Sequence, residues 1–240
     1  MKINIKQRNI NIIAEIHPQH MGSIEEIQRM MLQCKIGGAD YVKVQLYNSK
    51  KLFNNLDREY LEFTKNEFLK IAEYSKQIGI KLFASIFDEE KIDWCEEAGI
   101  DLFKIASRTV EDKKLCSKII SKNKKVIISL GMYDYKKKPL PFENKNIIYL
   151  YCVSKYPTNL TEIDMPDFTD SIFKGFSDHT VGISACIYAA SRGAVFIEKH
   201  FSNNKSLGVD TQQAHICSMD FDDLVELRKY CDSISLLRSK

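Results

Sequence analysis

Strand-like and helix-like segments alternate from one end of the chain to the other, and that alternation limits the fold more than any other feature. Apolar, β-branched or aromatic runs fall at 11–16, 40–47, 80–87, 101–107, 125–131, 146–154, 173–178 and 195–201. Short continuous runs of this kind read as strands buried on both faces. Between them lie amphipathic stretches such as "SIEEIQRMMLQCKIGGA", "TKNEFLKIAEYSKQIG", "DEEKIDWCEEAG", "TVEDKKLCSKIISKN" and "GISACIYAASRGA", with "DFDDLVELRKYCDSISLL" closing the series. Ser23 is placed to cap the first helix, with Glu26 at the capping-box position, and Gly37 and Gly38 stop it. Gly79 ends the second.

Two connections are weaker. "MYDYKKKPLPFEN" is too short and Pro-rich for a helix, and "TEIDMPDFTDSI" is a helix candidate interrupted by Pro166. The first ten residues suit an extra strand or hairpin under the barrel. Strict alternation implies a parallel sheet with right-handed crossovers. Eight units in 240 residues fit a closed α/β fold, the (β/α)₈ TIM barrel, typically ~250 residues long. The expectation is one domain spanning residues 1–240. An open doubly wound sheet is the alternative, but the first turn, "EIHPQHMGS", has no GxGxxG.

Charge and cysteine usage narrow the function. Thirty-five Lys and Arg stand against 32 Asp and Glu, a net charge of +3. That balance argues for neither nucleic acid nor a membrane as partner. The basic stretch "KKVIISLGMYDYKKKP" reads as a solvated rim around a buried strand. Seven cysteines occur without a CxxC, several inside apolar runs. They read as reduced, and the protein as cytoplasmic. The opening "MKINIKQRNINII" has no signal-peptide pattern, and no apolar run approaches the ~20 residues of a spanning helix.

In such a barrel the chemistry sits at the C-terminal ends of the strands. The polar residues there are Glu15, Lys43, Gln45, Ser85, Lys104, Ser107, Ser129, Ser154, Tyr156, Ser177, His179, Glu198 and His200. Strand period 2 puts Lys43 with Gln45, Ser177 with His179, and Glu198 with His200 on common faces. Lysines inside buried strands need a reason. Either each pairs with a carboxylate such as Glu15, or the two line a pocket for a multiply charged anion, for which phosphate plus carboxylate is the natural candidate. Two histidines ending adjacent strands point to a divalent metal, with Glu198 orienting an imidazole and Asp178 supporting its turn. His17, His20 and His215 lie in loops and are expected to be exposed.

The stretches "AEIHPQHMGS", "ADYVKVQ", "FASIFD", "LFKIAS", "ISLGM", "YCVSKYPT", "GFSDHTVGI", "GAVFIEKHF" and "CSMDFDDLVEL" occur in the order seen in the sialic acid synthases. That family comprises the phosphoenolpyruvate-dependent N-acetylneuraminate, legionaminate and pseudaminate synthases, and the resemblance covers essentially the whole chain. It implies that His179 and His200 bind a divalent metal, Mn²⁺ or Mg²⁺. It implies that Lys43, Lys104, Ser85, Ser107, Ser154 and Ser177 hold the phosphate and carboxylate of phosphoenolpyruvate. Glu15, Gln45, Tyr156 and Asp210 would face the sugar or the water near the reacting carbons. Ser129 joins this binding set from its strand-end position. Glu15 is the candidate for the water's proton, although nearby lysines would favour its ionised form.

The departures concern the acceptor. Gln19 stands where the family usually has Asn, Met21 where an acidic residue or Asn is common, and Thr109 in place of a common Glu. The insert after the second strand, "NSKKLFNNLDREYLEF", is short. The family's C-terminal antifreeze-like domain, which places an arginine on the sugar across a dimer, has no counterpart in the match. The expected activity is metal-dependent condensation of phosphoenolpyruvate with an open-chain aldose, giving a 2-keto-3-deoxy sugar acid for surface polysaccharide. A homodimer or a separate partner protein would complete the acceptor site. The competing readings are a metal-dependent aldolase or isomerase, and a non-catalytic barrel that binds a sugar or phospho-ligand.

Overall fold

The computed structural model describes residues 9–205 and 213–239. Its eight strands are β1 (Asn11–Glu15), β2 (Tyr41–Leu46), β3 (Lys81–Ile86), β4 (Leu102–Ile105), β5 (Lys125–Ser129), β6 (Ile147–Cys152), β7 (Phe173–Asp178) and β8 (Phe196–His200). They pair in chain order into a closed barrel. β1 and β8 close it in parallel, with Asn11 opposite Phe196 and Glu15 opposite His200. The expected (β/α)₈ barrel is therefore the observed fold.

The outer layer holds α1 (Ile24–Gly37), α2 (Ser49–Phe53), α3 (Lys65–Ile78), α4 (Glu90–Glu97), α5 (Lys113–Ile120), α6 (Ser184–Ser191), α7 (Gln213–Ile216) and α8 (Phe221–Arg238). Ser23 caps α1 by accepting from the Glu26 amide, and Gly38 ends it at φ 95°, where a Cβ would be strained. The Glu26 carboxylate does not complete a capping box as expected; it pairs with Arg29 and accepts from Asn203. A complete box instead opens α3, between Thr64 and Glu67.

The helix expected over "TEIDMPDFTDSI" is absent. Only a 3₁₀ turn, Leu160–Glu162, forms before an irregular stretch, because Pro166 cannot donate and biases the residue before it away from helix. The β5–β6 connection has no helix, as expected. The proposed extra strand falls on residues 1–8, outside the described residues, and Asn9 and Ile10 lie outside any strand.

The period-2 alternation sorts the strand side chains. Val42, Val44, Ala84, Phe103, Ile105 and Ile128 are buried beneath the outer layer. The other phase points into the barrel, where Tyr41 and Phe83 meet edge to face at 5.8 Å. Above them, Lys43, Ser85 and Lys104 take up the same phase one step toward the C-terminal rim. Gly175 permits the close approach of β7 to β8: a Cβ there would stand 2.2 Å from the Phe196 carbonyl oxygen.

Candidate active site at the C-terminal rim

The inward phase ends in charge. Lys43 Nζ lies 2.7 Å from Glu15 Oε2 and 3.4 Å from Glu198 Oε2. Lys104 Nζ lies 3.1 Å from both Glu198 oxygens and 2.6 Å from Ser129 Oγ. Ser177 donates to Glu198 at 2.7 Å, and Ser85 Oγ accepts from Lys43 at 3.2 Å. All four charged groups are buried. β1, β2, β4 and β8 thus contribute one charge each to a chain running Glu15–Lys43–Glu198–Lys104.

Burial and pairing set the protonation of that chain. Burial pulls Lys104 down to about 8, with Glu198 opposing it only in part. Burial also works against charge on Lys43, but Glu15 and Glu198 outweigh it and hold the ammonium above its ordinary value. Glu198 resists burial through Lys104, Lys43 and Ser177 and sits below the usual carboxylate range. Glu15 goes the other way: its burial, helped by Glu198, exceeds the pull of Lys43 and raises it. The lysines do not draw Glu15 below its ordinary carboxylate value, because its desolvation is the larger effect. Glu198 does not orient an imidazole either; both of its oxygens are engaged by ammonium groups and Ser177.

His179 and His200 stand beside this chain, ring centroids 5.9 Å apart. His179 Nδ1 meets the Val153 carbonyl at 2.8 Å, and His200 Nδ1 meets Gln19 Oε1 at 3.2 Å. Each contact needs the proton on Nδ1, which leaves both Nε2 lone pairs for a ligand, the arrangement of metal-binding imidazoles. Burial, then His179, holds His200 neutral. The described residues contain no group of three or more His, Cys, Asp or Glu side chains placed to hold a metal. What the described residues offer a divalent metal here is the two imidazole Nε2 atoms of His179 and His200. The Tyr156 ring lies against His179 at 3.9 Å between centroids. Asp178 supports its turn as expected, accepting from the Thr180 amide, while its other oxygen pairs with buried Lys199.

The loop histidines are not exposed, contrary to expectation: His17, His20 and His215 are all buried. The Gly22 amide donates to His20 Nδ1, so His20 Nε2 donates to His17 Nδ1 at 2.9 Å, and His17 Nε2 donates to the Tyr47 hydroxyl at 3.1 Å. Burial keeps His20 neutral, its pKa held down to about 3, and His17 is lowered likewise. The His17 amide donates to Glu15 Oε1 at 2.9 Å, so this first loop fixes the carboxylate.

A cavity of about 610 Å³ opens above these groups, within the ~300–1,000 Å³ of small-molecule sites. Glu15, Lys43, Gln45, Ser85, Lys104, Ser107, Ser129, Ser154, Tyr156, Ser177, His179 and His200 all line it. Asp210 lies outside the described residues. Phe53, Arg58, Arg108, Met132 and Cys152 also line it, and the strand-end survey missed them. Cys152 was legible from its phase, two residues before Ser154; Phe53 ends α2, and Arg58, Arg108 and Met132 come from the connections that follow β2, β4 and β5. Gly131 holds one wall: its amide donates to Ser107, and a Cβ there would stand 2.4 Å from Ser154 Oγ and 2.9 Å from Cys152 Sγ. Gly131→Ala should lower stability by about 1–3 kcal/mol through overpacking, measured by urea denaturation.

Residues 30–239 match the NeuB family. The chain is 32% identical over 233 residues to the uncharacterised protein MJ1065 of Methanocaldococcus jannaschii, covering 90% of this chain and 68% of that one. It is 30% identical over 252 residues to N,N'-diacetyllegionaminic acid synthase of Legionella pneumophila, covering 90% and 69%. Among solved structures it resembles N-acetylneuraminic acid (sialic acid) synthetase of Leptospira borgpetersenii serovar Hardjo-bovis, with a TM-score of 0.83, 27% identity, and coverage of 98% and 86%. A match across nearly nine-tenths of the residues, on a barrel whose rim carries this charge chain, assigns the chain to the NeuB family.

Proposed function

We propose that this protein condenses phosphoenolpyruvate with an open-chain aldose, giving a 2-keto-3-deoxy sugar acid and inorganic phosphate. The observation that carries the reading is the convergence of Lys43, Lys104, Glu15 and Glu198 with rim serines and two imidazoles in one cavity. Phosphoenolpyruvate bears a phosphate and a carboxylate on one carbon, so it needs two cations and several hydroxyl donors in a small volume. Lys43 and Lys104, with Ser85, Ser129 and Ser177, supply them. Ser107 and Ser154 line the same cavity and join this set, while Gln45 and Tyr156 extend the lining toward the acceptor.

The enol CH₂ carbon bonds to the aldehyde carbon as the C=C and C=O π bonds break. The former aldehyde oxygen takes up a proton to become a hydroxyl, and positive charge develops at the carbon bearing phosphate. Water adds there and loses a proton to Glu15, whose raised pKa suits a group that must hold one. The resulting hemiketal phosphate then breaks its C–O bond. Phosphate leaves with the electron pair, the hydroxyl gives up its proton, and a ketone remains. Lys43 and Lys104 offset charge on the phosphate and carboxylate throughout. His179 and His200 would hold Mn²⁺ or Mg²⁺, which when bound supplies Lewis-acid polarisation of the aldehyde oxygen.

Phosphate release from phosphoenolpyruvate over a panel of N-acetylated hexosamines, with and without EDTA, tests this. Aldose-dependent release that stops with chelator and returns with Mn²⁺ is expected. A folded protein releasing no phosphate with any aldose overturns the condensation. Release indifferent to chelator overturns the metal assignment alone.

A further inference from the structure

The two strands that lead to a histidine each carry a charge one residue earlier. Asp178 precedes His179 at the end of β7, Lys199 precedes His200 on β8, and the two stand opposite each other in the register. Strand period 2 turns both side chains away from the imidazoles. They face α6, where Cys186 donates to Asp178 Oδ2 at 3.1 Å. Lys199 Nζ meets that same oxygen at 2.7 Å, and neither side chain has any exposed surface. Burial works against the ammonium, but Asp178 outweighs it and holds Lys199 above its ordinary value.

The pair reaches past itself to the residue after His179. The Thr180 amide donates to Asp178 Oδ1 at 2.9 Å, its hydroxyl donates to Oδ2 at 3.1 Å, and its carbonyl accepts from Lys199 at 2.7 Å. The His179 carbonyl is fixed too, accepting from the Thr158 amide at 2.8 Å. A fully buried ion pair is a poor source of stability, since apolar side chains of similar volume often serve as well or better. What apolar side chains lack is direction. Hydrogen bonds with preferred angles hold a turn in one orientation, and this turn aims His179 at a partner ring 5.9 Å away.

Resting on the reading of His179 and His200 as metal donors, we propose that Asp178 and Lys199 are positioning residues, whose ion pair staples the ends of β7 and β8 and sets the spacing and facing of the two imidazoles. Neither side chain reaches the cavity. Each acts through the histidine that follows it.

Asp178→Leu/Lys199→Met removes the staple and leaves no buried charge behind. The readout is Mn²⁺ binding to the protein without substrates, followed by the electron paramagnetic resonance signal of the free ion. The double variant should unfold at or above the wild-type urea midpoint, yet bind Mn²⁺ about 10–100-fold more weakly, the usual cost of disturbing the groups that orient metal-bound imidazoles. Wild-type affinity in the folded variant overturns the staple. If that variant does not fold, Asp178→Asn/Lys199→Gln replaces it: the shorter Gln side chain falls short of the Thr180 carbonyl, and the same two results decide. If the wild type itself binds no Mn²⁺, the metal reading fails and histidine NMR decides this one. Long-range ¹H–¹⁵N spectra should then show His179 as a single Nδ1–H tautomer in the wild type and as a mixture in the variant, and the same pattern in both sinks it.

Discussion

Glu198→Ala should abolish turnover and lower stability by about 3–5 kcal/mol, the usual cost of removing one partner from a buried ion pair. Among the described residues, Glu198 is the only carboxylate in contact with Lys104 and the second in contact with Lys43. Without it, Lys104 keeps a hydroxyl, Ser129, as its described partner. An ammonium already drawn down to about 8 would then shed its proton near neutrality, and the floor would lose one of its two cations. At this chain length the stability loss corresponds to roughly 6–20 °C in melting temperature. Lys104→Met/Glu198→Met separates the two effects. Replacing both partners with apolar side chains should restore much of the stability and none of the activity. A single alanine variant that unfolds at the wild-type urea midpoint would show that the four charges are not energetically linked.

Most of the barrel was legible because parallel strands buried on both faces leave an unmistakable apolar run, and because eight of them in 240 residues leave few ways to close. Period 2 then placed Lys43, Lys104, Ser177 and His200 correctly without any knowledge of the helices. The same reasoning misassigned Glu198. Its phase put it in the cavity, but whether it faces an imidazole or an ammonium depends on the stagger of strands far apart in the chain. Glu198 meets Lys104 across 94 residues. The first loop was misread because its histidines satisfy one another: an imidazole that donates to another imidazole can be buried at little cost, and nothing in "EIHPQHMGS" announces that pairing. The grouping of Arg58 and Arg108 at the Phe53 ring was illegible for a related reason. The two arginines come from the connections after β2 and β4, and only the folded barrel brings both to one ring.

Raising the pH through about 8 should weaken phosphoenolpyruvate binding, because Lys104 is the cation at the floor with the depressed pKa. Lys43 stays charged well beyond that point, and the substrate's phosphate is already fully ionised, so of the two floor cations Lys104 alone discharges there. KM for phosphoenolpyruvate should climb roughly tenfold per pH unit above it, while kcat at saturation breaks at higher pH, since a bound anion raises the ammonium's pKa. The effect on stability has the opposite sign. Between about pH 8 and the ordinary lysine value near 10.4, the unfolded chain holds this proton and the folded chain does not. Lys104 therefore contributes a rise in stability with pH across that window. Loss of binding there cannot be alkaline unfolding driven by this residue, and a urea midpoint measured at pH 7 and pH 9 checks the point. Lys104→Arg, charged at every accessible pH, should lose the break even if its turnover is lower. A break that survives in the arginine variant would place the titrating group elsewhere.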